Sequence, residues 1–170
     1  MKLERVLQVL IAVLLAALLV VIAGVLSEKV VVAGDTAPDF RITTDDGIRM
    51  TRSSFGGKVL VLNFWATWCP PCVEEMPTLN AMQKQLAGSG VVVLAVSVDR
   101  NEQAYRQFLQ RTGVSFRTAR DPEANISSQY GTFKFPETYV IDRNGKVVQK
   151  IIGAADWTDP KMVSSIRSML

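Results

Sequence analysis

The sequence predicts an α/β domain, a mixed sheet flanked by helices, with one apolar helix in front of it. Three observations carry this. Val59–Trp65 and Val91–Val98 are nearly continuous apolar runs, each followed by a helix-like stretch, as buried parallel strands with helical crossovers require. Residues 138–152 are interrupted at Asn144-Gly145, a hairpin signal that adds antiparallel strands. Residues 6–26 are apolar apart from Gln8, and at ~1.5 Å per residue such a helix spans about 30 Å, the thickness of a bilayer's hydrocarbon core.

The elements follow in order. Residues 1–5 carry Lys2 and Arg5, which favours a cytoplasmic N-terminus, and residues 6–26 read as a transmembrane anchor. A cleaved signal peptide is the competing reading. Its apolar core runs to ~7–15 residues before a small-residue site. Here the run is longer, and Val31-Val32-Ala33, the best cleavage candidate, lies beyond Glu28-Lys29. Residues 27–34 form a linker and residues 35–170 the domain. Phe40 and Ile42 alternate with polar neighbours, and Asp45-Asp46-Gly47 turns the chain into Ile48 and Met50, a small N-terminal hairpin.

A strand over 58–65 leads to a helix over 72–86, with Leu79, Met82 and Leu86 on one face and a kink expected at Pro77. A strand over 91–98 precedes a helix over 101–112 that places Tyr105, Phe108 and Leu109 together. A short strand over 116–119 and a short helix over 126–130 follow. Residues 138–141 and 146–152 form the hairpin, with positive φ angles expected at Asn144-Gly145. Met162, Val163, Ile166 and Leu170 give a terminal helix its stripe.

Composition narrows the chemistry. The chain has 170 residues, a formal charge of +3 and no histidine. Interspersed charge argues against a nucleic-acid partner. The lack of histidine removes Ser-His-Asp and Cys-His catalysis and most zinc sites. The two cysteines sit in Trp68-Cys69-Pro70-Pro71-Cys72, between strand and helix. Free N–H groups and the helix dipole there favour a thiolate, and such settings lower a cysteine pKa from about 8.5 to roughly 3.5–7.5. Cys69 is therefore the expected nucleophile and Cys72, one turn further in, the resolving thiol. Two other readings stand beside this one. A structural disulfide over so short a loop would constrain little of the unfolded chain, and a zinc site needs four ligands. Trp68 is expected on the docking surface and Trp65 in the packing beside the site.

The segment from Asn63 to Pro77, with Gly34–Phe40, Phe135–Asp142 and Gly145, resembles membrane-anchored thioredoxin-like proteins of the TlpA/ResA type. The resemblance covers roughly residues 34–170. It implies a thioredoxin-like sheet with an N-terminal hairpin and a central insertion within 101–130. It also implies a redox-active Cys69–Cys72 disulfide with no other cofactor and no metal. Pro136 matches a proline that is cis in the family and faces the disulfide, although only ~5–6% of X-Pro bonds in folded proteins are cis and trans is the residue-level expectation. The expected substrate-binding set is Trp68, Pro70, Pro71, Phe135 and Pro136. Core packing is the alternative for Phe135.

Glu75 matches a family acid and shares a helix face with Cys72, so it is a candidate to tune or accept the Cys72 proton. Dipole stabilisation by Glu74 and Glu75 is the simpler alternative. Asn63 stands where thioredoxin has a buried aspartate, and it cannot titrate. The resemblance implies a thiol–disulfide oxidoreductase on the outer side of a bacterial cytoplasmic membrane. It would act on protein disulfides and be re-reduced by a membrane thiol protein. The Pro136-Glu137-Thr138 segment is similar to the branch serving cytochrome c maturation, so apocytochrome c is the leading substrate. The rivals are a peroxiredoxin-like peroxidase, which needs Thr-x-x-Cys where Thr67 is only two residues before Cys69, and a copper metallochaperone, which usually adds a histidine.

Overall fold

The computed structural model describes residues 2–26 and 30–170. The N-terminal helix α1 runs Lys2–Leu26, starting earlier than the apolar stretch, and Leu3–Ile22 is long and apolar enough to cross a membrane. Residues 27–29 of the expected linker lie outside the described residues.

The hairpin forms as β1 (Arg41–Thr43) and β2 (Arg49–Thr51), with Thr43 opposite Arg49 and Gly47 at φ 80° in the turn. Asp45, read from sequence only as a turn residue, ties this hairpin to the domain. Its carboxylate accepts from the Tyr105 hydroxyl at 2.5 Å and the Thr118 hydroxyl at 2.6 Å. A 3₁₀ turn over Arg52–Phe55 follows.

The main sheet has the order β5-β4-β3-β6-β7. Strands β3 (Val59–Trp65), β4 (Val91–Ser97) and β5 (Arg117–Arg120) are parallel, joined by α2 (Pro70–Gln85) and α3 (Glu102–Thr112). Helix α4 (Asn125–Gln129) then carries the chain to the other side of β3. There β6 (Glu137–Ile141) runs antiparallel to β3, and β7 (Val147–Ile152) antiparallel to β6. Helix α5 (Pro160–Arg167) ends the domain; it stops before Leu170 and is capped by the Asp159 carboxylate on the Lys161 N–H at 2.7 Å.

Every residue of β3 is buried, which is why it reads as apolar sequence interrupted only by Asn63. Its alternating side chains feed two cores. Trp65 packs with Cys72, Met76, Tyr105, Phe108 and Trp157 beneath α2, α3 and α5. Leu60, Leu62 and Phe64 pack with the hairpin's Met50, with Ile126 and with Tyr139. Full burial of one such side chain contributes roughly 1.5–3 kcal/mol.

Helix α2 continues through Pro77, whose side chain is exposed. The β6–β7 turn differs from expectation: Gly145 has φ 78°, whereas Asn144 is not in the positive region. The Asp142 carboxylate instead accepts from the N–H groups of Asn144 and Lys146 at 2.8 and 2.9 Å. The connection is a three-residue loop closed by one left-handed glycine.

Candidate active site

The site begins where β3 ends. The chain leaves Trp65, turns through Ala66–Trp68 and enters α2 with Cys69 at the N-cap (φ −102°, ψ 101°) and prolines at the first two helical positions. Proline suits those positions because the first N–H groups of a helix have no intrahelical acceptor. Cys69 and Cys72 form a disulfide with Cα atoms 5.3 Å apart. Cys69 is 6% exposed and Cys72 is 0% exposed, so Cys69 is the sulfur a partner can reach.

Glu75 lies behind the pair and is buried. It accepts hydrogen bonds from Asn63 Nδ2 at 2.8 Å, from the Trp157 indole at 3.1 Å and from the Ala155 N–H at 3.1 Å. Burial pushes its pKa above the ordinary carboxyl value, against the opposing pull of those three donors. A carboxyl in this setting favours holding a proton more than a surface glutamate does. Asn63 also donates to the Thr138 hydroxyl at 2.8 Å, so the network links α2, β3, β6 and the loop after β7.

The Phe135–Pro136 bond is cis, the geometry implied by resemblance and not by the general preference of X-Pro bonds. Pro136 is buried and its carbonyl accepts from the Gly153 N–H at 2.8 Å. The Phe135 ring stands edge-on to Trp68 with centroids 6.1 Å apart. Phe135 is partly buried against both cores, so it contributes to the packing of each. Trp68 is 62% exposed, and Pro70 and Pro71 are exposed beside it. Trp65 is fully buried, its ring 5.0 Å from Phe108 and 5.9 Å from Tyr105.

The redoxin family pattern matches residues 32–170. The chain belongs to the redoxin family. Among curated relatives it is similar to the thiol-disulfide oxidoreductase ResA of Geobacillus thermodenitrificans, with 37% identity over 90% of this chain and 89% of that protein. It is 39% identical to ResA of Geobacillus kaustophilus over 75% of this chain and 74% of the other. Among solved structures it is similar to a putative thiol:disulfide interchange protein DsbE from Chlorobium tepidum, with a TM-score of 0.71, 31% identity, and coverage of 83% of this chain and 96% of that one. This redoxin is accordingly a thiol–disulfide oxidoreductase with a thioredoxin-like fold.

Three residues of the redoxin site escaped sequence reasoning. Asp99, at the end of β4, is buried and accepts from the Thr67 N–H at 2.9 Å, the Thr67 hydroxyl at 2.7 Å and the Ser97 hydroxyl at 2.6 Å. It fixes the loop that carries Trp68 toward Cys69. Trp157 and Thr138 complete the surroundings of Glu75 and Asn63. Neither spacing nor residue type marks them, because their partners lie 75 or more residues away in sequence. Glu137, part of the Pro-Glu-Thr segment, lies on the other face of the sheet from Glu75. It is bonded to the Tyr139 hydroxyl and forms a buried ion pair with Lys150 at 2.8 Å.

Proposed function

We propose that this redoxin is a membrane-tethered protein-disulfide reductase working on the outer side of a bacterial cytoplasmic membrane. The observation that carries the reading is the asymmetry of the pair: Cys69 is reachable at a helix N-cap, and Cys72 is sealed beside a buried acid.

In the reduced enzyme the Cys69 thiolate attacks a substrate disulfide. A Cys69–substrate disulfide forms and one substrate sulfur leaves as a thiolate. Cys72 then passes its proton toward Glu75 and attacks the Cys69 sulfur. The second substrate thiolate departs and the Cys69–Cys72 disulfide forms. Two electrons have moved to the substrate. Trp68, Pro70, Pro71, Phe135 and Pro136 form the surface on which the substrate chain lies. Glu75 acts as proton acceptor because Asn63 has no titratable proton to exchange.

The oxidised enzyme needs two electrons back, and an oxidising compartment does not supply them from a thiol pool. A thiol protein of the membrane is the electron donor, and α1 holds the domain near it. The Pro136-Glu137-Thr138 segment supports apocytochrome c, with its pair of haem-attachment cysteines, as the substrate.

Cys72→Ser tests this reading. The variant retains the nucleophile and loses the resolving thiol, so it accumulates disulfide-linked adducts that a reducing agent releases and mass spectrometry identifies. A cell extract in which the variant forms no adduct, with Cys69 shown to be free and alkylatable, overturns the proposal.

A further inference from the structure

Outside α1, most of the exposed large apolar side chains among the described residues gather where the chain enters the domain. They are Val30, Val32, Phe133, Val148 and Ile152, with Phe133 at 72% exposure; only Ile48 and Trp68 lie elsewhere. Backbone pairing brings the five together. The Val31 N–H donates to the Tyr130 carbonyl at 3.1 Å, which sets residues 30–32 beside the turn leading to Phe133. The Gly34 N–H donates to the Val147 carbonyl at 2.7 Å, which sets the same stretch beside Val148. Ile152 is opposite Glu137 in the β6–β7 register, and Glu137 accepts from the Thr132 hydroxyl at 3.4 Å, next to Phe133.

Exposed Lys134 and Lys146 border this face. Of the acids nearby, Asp35 accepts from the Val32 N–H and Glu137 is paired with Lys150. An apolar cluster bordered by two cations and the Asp35 carboxylate marks a contact surface.

Chain length selects what it contacts. Helix α1 ends at Leu26 and Val31 is already buried in the domain. Five residues of chain reach at most about 18 Å, so whatever surface holds α1 lies within that distance of Val31. We propose that this face rests on the lipid surface of the bilayer that α1 crosses. The five apolar side chains enter the boundary between headgroups and acyl chains, and Lys134 and Lys146 meet lipid phosphates. The inference rests on reading α1 as a retained anchor. It places the Phe135–Pro136 docking loop, which begins two residues after Phe133, at the membrane surface.

The test uses the full oxidised chain in lipid nanodiscs whose phospholipids carry bromine atoms high on the acyl chains, which quench tryptophan on contact. Phe133→Trp adds a fourth tryptophan to the three present. Gln107→Trp places one at an exposed site on α3, across the sheet from this face. Phe133→Trp should lose more of its emission than wild type, by up to about a quarter, the share of one tryptophan in four seated at the interface. Gln107→Trp should lose no more than wild type. Equal quenching of both variants, or none in either, while the chain elutes with the disc overturns the docking and leaves the anchor standing. An unquenched Phe133→Trp in which copies of the chain crosslink to one another also overturns it, in favour of self-association. Elution of the chain free of lipid overturns the anchor reading, and the docking falls with it.

Discussion

Glu75 must change charge if it is to take the proton of Cys72, and its surroundings set the pH at which it does so. Burial raises its pKa in the folded state above the ordinary 4.5. The fold therefore binds this proton more tightly than the unfolded chain does. The stabilising contribution is complete below 4.5 and is lost as pH rises through the raised folded value. In Glu75→Gln that loss is absent, so the stability difference between wild type and variant should change across this window in urea titrations run at several pH values. The same variant removes a negative charge from the helix face of Cys72. Its thiol should titrate at lower pH than in the wild type when followed by alkylation rate, since a nearby like charge disfavours the thiolate. An unchanged thiol titration would remove Glu75 from the proton pathway. The i, i+3 relation of Cys72 and Glu75 was legible in the sequence. The donors Trp157 and Ala155 were not, because they come from a loop after β7 that only the folded sheet brings to α2.

The elements that read most clearly are those whose two faces are both covered. β3 and β4 are apolar apart from Asn63 and Ser97 because helices and hairpin enclose them, and α3 shows its period because one side meets Trp65. The Asn144-Gly145 hairpin announced antiparallel strands, but the placement of β6 beside β3 left no such trace. It depends on the connection through α4, five residues long, carrying the chain to the other side of β3, and a short helix carries too little periodicity to reveal its direction. The loop between β3 and α2 was equally opaque, since Asp99 reads only as the end of a strand. Its role gives a prediction at this scale. Asp99→Ala leaves the Thr67 N–H and two hydroxyls without their acceptor and should cost about 2–4 kcal/mol in urea unfolding. Reduction of a protein disulfide by the variant should slow as well, because Trp68 and Cys69 follow Thr67 directly. Asp99→Asn keeps one acceptor oxygen and should recover part of the rate; no recovery would assign Asp99 to folding alone.

For the whole molecule, the anchor reading makes a direct claim about extraction. Expressed full-length in a bacterium, the chain should remain with the membranes after an alkaline carbonate wash, at the mass of the uncleaved sequence. Release into the supernatant, or a mass shortened to a start near Val31-Val32-Ala33, would replace the anchor with a signal peptide. Copies held in a bilayer by α1 would be concentrated in two dimensions, where open strand edges invite one chain to template the next. The main sheet is blunted on both sides. At β5 the Thr118 carbonyl accepts from the Asp45 N–H at 2.9 Å, so the hairpin turn occupies that edge. At β7 the chain over 34–36 occupies Val147, whose N–H donates to the Asp35 carbonyl at 2.9 Å and whose carbonyl accepts from Gly34. The contacts that fasten the N-terminal segment to the domain thus occupy sheet-edge positions at which a second copy of the chain would otherwise pair.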